Sequence, residues 1–337
     1  MAGSIELRGL TKRFGPAGVG GILAVDNVTF NVRAGEVLGF LGPNGAGKST
    51  TMKMVTGFIA PTSGSAKVCG HDVVEQPLEA KRRIGYLPEG APAYPDMTPL
   101  GFLSFVAQVR GLHGTDRTRA IDAAIDAVKI DSVLRQPIET LSKGFKRRVG
   151  LAQAILHDPE VLIMDEPTDG LDPNQKHDVR NLIRAMANRG GEEKGKAIIL
   201  STHILEEVQA VCTRVVLIAK GKVAADCTPA ELAARSRYYN AVTLTLSGVS
   251  LDAAMAELKR VPGVRAVERS GTTGVEVTAI PTRGRVIAHE VGELVRSKGW
   301  QVDQMRVDAG SLDGVFRDLT MGASIAATAN ANEEDAA

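Results

Sequence analysis

An α/β fold with a buried, largely parallel sheet, followed by a smaller α+β domain, is predicted by three features of this 337-residue sequence. Short runs apolar on both faces recur at 36–41, 161–164, 197–200 and 215–218, the pattern of strands covered on both sides. Between them, 121–128 and 178–187 carry apolar residues at helical spacing, so helices are expected over the sheet. Near residue 235 the pattern changes to strand 242–246, helix 251–261, strands 264–268 and 275–279, helix 285–298 and strand 301–307. That order is the ferredoxin-like split βαβ unit. A short helix is expected over 312–319, and the Ala-, Asn- and acid-rich 322–337 has nothing to bury and reads as a disordered tail. Segments 15–21 and 190–196 read as inserted loops.

Composition narrows the class. At roughly 150 residues per domain the length suggests about two domains, and 44% hydrophobic with 23% charged residues describes an ordinary globular chain. Forty Lys and Arg against 39 Asp and Glu leave a net charge of +1, too little to draw nucleic acid or an anionic membrane from a distance. Cys69, Cys212 and Cys227 form no C-x-x-C pair, which argues against a disulfide framework or zinc site and predicts buried thiols in a reducing compartment. The N-terminal residues lack the basic and apolar regions of a secretory signal, and no stretch reaches the roughly 18 apolar residues of a membrane span. A cytoplasmic chain is therefore expected.

The residues from Gly42 to Ser49 fit G-x-x-x-x-G-K-[ST], between a strand-like run and a helical segment, 50–56. Gly42, Pro43, Asn44, Gly45, Ala46 and Gly47 form a small-residue loop whose N–H groups can wrap a phosphate. The following helix aims its positive end at the same charge. Lys48 is placed to reach the β- and γ-phosphates, and Ser49 to coordinate magnesium. Asp165 closes the run 161–164 and suits the same metal, because open α/β sheets bind ligands at the carboxyl ends of their strands. Glu166 beside it is a candidate general base for an attacking water. His203 follows 197–200, at the end of another strand, and is placed to donate to the γ-phosphate.

Leu141, Ser142, Lys143, Gly144 and Phe145, upstream of Asp165 and ahead of a helical stretch, make the set specific. The chain resembles the nucleotide-binding subunit of ABC (ATP-binding cassette) transporters. In that family's order, the A-loop aromatic is Phe14, the Walker A loop runs from Gly42 to Thr50, and the Q-loop position is Glu89. The signature runs from Leu141 to Phe145, the Walker B run ends at Asp165 and Glu166, the D-loop reaches Asp172, and the H-switch is His203. The resemblance implies a P-loop NTPase fold with an ABC-type helical subdomain at about 90–158 inside a cassette spanning 1–235, followed by the small domain at 240–321. It implies an ATPase that uses ATP and magnesium, a homodimer or pairing with a related cassette, and two ATP in the interface. Each ATP would meet the Walker A of one subunit and Ser142 and Gly144 of the other. Separate membrane-spanning permease subunits are the implied partners, on the inner face of the cell membrane. Phe14 is expected either to stack on adenine or simply to pack locally, and Asp172 to couple the two sites.

Glu89 stands where most members carry Gln, adding a negative charge but keeping an oxygen for magnesium or the lytic water. Lys143 and Phe145 also depart from Leu-Ser-Gly-Gly-Gln. These departures together resemble an exporter-type branch that includes ATPases of gliding motility and multidrug resistance. The resemblance extends to the small domain, which is expected to strengthen the dimer, sense a ligand or only stabilise. Two basic clusters, at 81–83 and 146–148, keep a second reading in view, a soluble cassette protein acting on nucleic acid or ribosomes. They are short and lack interleaved aromatics, so they are expected to be solvated surface and no nucleic-acid partner is expected.

Overall fold

The computed structural model describes residues 4–15, 21–188, 195–270 and 274–316. Of the expected inserted loops 15–21 and 190–196, residues 16–20 and 190–194 lie outside the described residues, as does the expected tail 322–337. The chain divides into two compact units, 1–227 and 228–337.

The first unit opens with β1 (Ile5–Phe14) and β2 (Ile22–Val32), then β3 (Val37–Leu41) and α1 (Lys48–Val55). β4 (Ser63–Val68) and β5 (His71–Asp72) complete an antiparallel sheet in the order β2-β1-β4-β5. α2 (Pro77–Arg82) leads to β6 (Ile84–Leu87), and α3 (Pro99–Val109), α4 (Gly114–Val128) and α5 (Lys143–Ile155) form the helical region. β7 (Val161–Asp165), α6 (Pro173–Ala187), β8 (Ala197–Thr202), α7 (Leu205–Val211), β9 (Arg214–Ala219) and β10 (Lys222–Cys227) finish the unit. The main sheet is ordered β10-β9-β3-β8-β7-β6, parallel throughout except for the β9–β10 pair.

Every residue of β3, β7 and β8 is buried, as expected of strands covered on both faces. The core joins the two sheets: Ile5, Leu7, Val28 and Phe30 pack with Phe40, Ile163, Ile199 and Ile218, and the Phe30 and Phe40 rings lie 5.5 Å apart. The antiparallel sheet was not anticipated, because bulges interrupt the pairing of β1 with β2 between Leu7 and Arg13 and break the two-residue alternation. Helix starts follow their caps: the side chains of Thr98, Ser142 and Asp172 accept from the amides of Gly101, Phe145 and Gln175. α5 approaches β6 so closely that a Cβ on Gly85 would lie 2.1 Å from the Ala154 carbonyl oxygen. Of the three thiols expected to be buried only Cys212 is; Cys69 and Cys227 are half-buried.

The second unit has a short α8 (Pro229–Ala233), then β11 (Val242–Ser247), α9 (Leu251–Leu258), β12 (Val264–Arg269), β13 (Val275–Pro281), α10 (Ala288–Lys298) and β14 (Gln301–Val307). The sheet is antiparallel in the order β12-β13-β11-β14, the strand order of the split βαβ unit. α9 ends three residues before the expected 261, since Pro262 cannot continue a helix and biases Val261 out of it. α10 begins three residues after the expected 285, because Arg285 closes a turn onto the Thr282 carbonyl. Residues 312–316 are helical at the end of the described region, and the rest of the helix expected to 319 lies outside it.

His157 sits behind β6, where its Nε2–H donates to the Ile84 carbonyl at 3.1 Å. Burial, with the Arg110 guanidinium nearby, pushes its pKa down to about 4 from 6.5. The native state therefore holds it neutral while the unfolded chain protonates, so its contribution is present above about pH 6.5 and is lost as pH falls toward 4. Denaturant midpoints measured from pH 7 to pH 4 should fall more steeply for the wild type than for His157→Leu. A second measurement concerns two glycines. Gly85→Ala should cost the first unit about 1–3 kcal/mol. Gly292→Ala, in α10 with nothing near its added Cβ, should stabilise the second by about 0.5–1 kcal/mol.

Candidate functional site

Four neighbouring parallel strands, β3, β8, β7 and β6, deliver the predicted site residues from their carboxyl ends. β3 runs into the loop ahead of Lys48, β8 ends at Thr202 before His203, β7 ends at Asp165 before Glu166, and Glu89 lies two residues past β6. The strand order, not chain proximity, brings these groups to one rim.

The loop is held tightly. A Cβ on Gly42 would meet the Ile218 carbonyl oxygen at 2.5 Å, and one on Gly47, at φ 106°, the Ala24 carbonyl oxygen at 2.4 Å. No side chain could stand at either place without moving backbone. Ala46 N–H donates to the Pro43 carbonyl at 3.1 Å, and the Ala46 carbonyl accepts from Gly221 N–H at 2.9 Å. α1 starts at Lys48 without a side-chain cap, leaving first-turn N–H groups for an anion. Pro43, Asn44, Gly45 and Ser49 are at least partly exposed along the loop, as is Thr50 behind it. Lys48 is buried, its Nζ donating to the Gly42 carbonyl at 2.6 Å and the Pro43 carbonyl at 3.1 Å. Burial lowers its pKa, while the charges of Glu166, Asp165 and Glu89 oppose that shift.

Glu166 adopts φ 51°, a costly conformation for a residue other than glycine. Its amide donates to the Ser201 carbonyl at 2.8 Å. His203 Nδ1–H meets its Oε1 at 2.7 Å, and Thr202 Oγ1 lies 3.3 Å from its Oε2. The Glu166 side chain is 14% exposed and that of His203 61%, so the acid is enclosed and the imidazole faces out. Thr202 also lies 3.5 Å from Oε2 of the buried Glu207, which accepts from Thr168. Burial raises the Glu207 pKa, and Arg180 lowers it.

Asp165 is 4% exposed, and among the described residues its carboxylate accepts no hydrogen bond. A buried carboxylate without a donor calls for a cation, and with the Ser49 hydroxyl it offers the hard oxygens magnesium takes. Among the described residues no group of three or more His, Cys, Asp or Glu would hold a metal alone. The donor set fits magnesium held partly by phosphate and water.

The signature residues stand apart. Ser142 accepts from the Phe145 amide at 3.3 Å and opens α5. Gly144 is buried against Gln175, Lys143 flanks Gly170, and Leu141 is buried. Among the described residues no hydrogen bond or ion pair joins 141–145 to the loop at 42–50. Asp172 caps α6, accepting from the Gln175 amide at 2.9 Å. Phe14 ends β1, 44% exposed, with Lys12 Nζ 5.3 Å from its ring centre.

One expectation fails. The cluster 146–148 is not solvated surface: Arg147 is 5% and Arg148 8% exposed. Arg148 donates to the carbonyls of Val128 and Lys129 that end α4, and Arg147 reaches into the site. No spacing in the sequence marked them, because residues 147–152 are buried without a break, all round the helix. Thr202 and Glu207 were also missed; the first stands directly before His203 in the sequence.

The sequence model of the ABC transporter family matches residues 25–169. The chain is 38% identical over 232 residues to the ABC transporter ATP-binding protein YbhF of Escherichia coli (strain K12), covering 69% of this chain and 38% of YbhF. It thus spans well under half of that relative's length. It is 35% identical over 227 residues to the linearmycin resistance ATP-binding protein LnrL of Bacillus subtilis (strain 168), covering 67% of this chain and 71% of LnrL. A solved ATP-binding subunit of an ABC transporter superposes with a TM-score of 0.60 and 30% identity, over 68% of this chain and 91% of that one. With strand order, phosphate loop and these likenesses in agreement, the chain belongs to the family of ABC transporter ATP-binding subunits.

Proposed function

We propose that this chain hydrolyses ATP to ADP and phosphate and, as a dimer, powers an exporter formed with separate membrane-spanning subunits. The observation that carries this is the Glu166 carboxylate held by His203 and Thr202 on the same rim as Lys48 and the undonated Asp165. Glu166 takes a proton from the water that attacks the γ-phosphorus. The bond to the β–γ bridging oxygen breaks, and ADP leaves. Lys48 exchanges its two carbonyl partners for phosphate oxygens and offsets the charge spreading over them. His203 keeps the proton acceptor aimed and donates toward the γ-phosphate. Ser49 and Asp165, with Glu89 near, would hold magnesium, which would supply positive charge to the phosphate oxygens. Phe14 offers an aromatic face to adenine.

The signature completes the site from a second copy. The amino end of α5, at Ser142, Lys143 and Gly144, offers N–H groups and a positive dipole to the γ-phosphate across the interface, with the Phe145 amide holding the Ser142 hydroxyl. Leu141 anchors that turn, and Asp172, beside it in the D-loop, links the two sites. ATP thus holds the pair together, and its hydrolysis lets the pair open and move the membrane partner. The proposed dimer works at the inner face of the membrane, beside those subunits; among the described residues no helix is long and apolar enough to cross one. Action on nucleic acid is disfavoured by the burial of Arg147 and Arg148, which removes one of the two basic clusters it needed.

Magnesium-dependent phosphate release by the purified chain tests this. Glu166→Gln should lower turnover by about 10²–10⁴-fold while ATP-dependent dimers persist in light scattering; unchanged turnover would refute the assignment. His203→Ala should lower kcat with less effect on KM. Short duplex DNA or ribosomes should leave the wild-type rate unchanged, and strong stimulation by either would favour the soluble-cassette reading.

A further inference from the structure

Arg147 lies on α5, five residues beyond the Ser142 that caps the helix. Its guanidinium donates to three backbone carbonyls: Pro88 at 3.0 Å, Asp165 and Glu166. Pro88 immediately precedes Glu89, and the other two belong to the site's paired acids. One buried side chain therefore ties the signature helix, the segment after β6 and the end of β7 together. The Glu166 carbonyl also accepts from Asp169 N–H at 3.1 Å, so the peptide that follows the residue at φ 51° is clamped from two directions.

A guanidinium suits this task. It is planar, carries five donors and keeps its charge when buried, whereas an ammonium presents fewer donors from a single point. No carboxylate forms an ion pair with Arg147 among the described residues, and its Nε is left without a partner. Burial lowers its pKa, while Asp169, Asp165, Glu166 and Glu89 all oppose the shift. Arg147 thus counters the charge of four acids without capturing one of them, which leaves Asp165 free for metal and Glu166 for a proton. Lys143, another cation at the start of α5, lies against Gly170.

We propose that Arg147 is a positioning residue for hydrolysis. Through the carbonyls of Pro88, Asp165 and Glu166 it sets the two acids relative to α5, so that the rate of proton abstraction depends on where the signature helix stands. This rests on the reading of Glu166 as the proton acceptor.

The test compares Arg147→Met and Arg147→Lys with Arg148→Met, an equally buried neighbour whose partners are the end of α4 and Asp178. Each variant is measured for melting temperature, kcat and KM for ATP. Arg147→Met should lower kcat at least tenfold with KM within twofold, and Arg147→Lys should recover part of the loss. Arg148→Met should lower the melting temperature while kcat per folded molecule stays within twofold. In a Glu166→Gln background, Arg147→Met should cause no further loss, because it acts through that residue. If Arg147→Met does not fold, Arg147→Lys decides alone: a folded protein with unchanged kcat overturns the proposal, and a threefold or greater loss at unchanged KM supports it. Full turnover in Glu166→Gln would sink the underlying reading. An inactive Glu166→Gln beside fully active Arg147 variants would sink this inference only.

Discussion

Like charges have to be held close together at the carboxyl end of the main sheet, and the organisation of the first unit follows from how that is done. Asp165 and Glu166 are consecutive, both share the field of Arg147 with Glu89 and Asp169, and Glu207 is buried beside Thr202. Acids gathered this closely repel one another. Two buried cations, Lys48 and Arg147, answer that repulsion without forming carboxylate pairs. Both spend their donors on carbonyl oxygens, so the carboxylate oxygens stay available while the field around them is softened.

Thr202 gives the arrangement a finer adjustment. Its single hydroxyl proton lies within reach of both Glu166 and Glu207 and serves one at a time. The same oxygen accepts from Ile204 N–H at 3.0 Å, which fixes it at the start of the segment leading to α7. His203 then approaches Glu166 from the solvent side while Thr202 approaches from within. Glu166 is thereby restrained by two neighbours in sequence whose side chains meet it from opposite surroundings.

The phosphate loop was legible because its requirements are local: small residues where backbone closes in, a lysine and a hydroxyl at a helix start. The buried strands were legible because parallel pairing removes alternation. The antiparallel sheet was not, since the bulges along β1 erase the alternation by which a half-buried strand is known. Arg147 was hidden for another reason. Three consecutive basic residues look like surface when read as composition, and only the rotation of α5 against β6 and β7 turns two of them inward. Thr202 and Glu207 depend on tertiary placement in the same way: nothing local marks a threonine as shared between two acids.

Lys48 bonds two carbonyls of its own loop. Its ammonium has therefore already given up most of its water during folding, and the loop is shaped around a cation that is dry but satisfied. On the proposed reading, a phosphate would replace one set of oxygens with another, and capture would ask for a rearrangement of donors more than the stripping of a hydration shell.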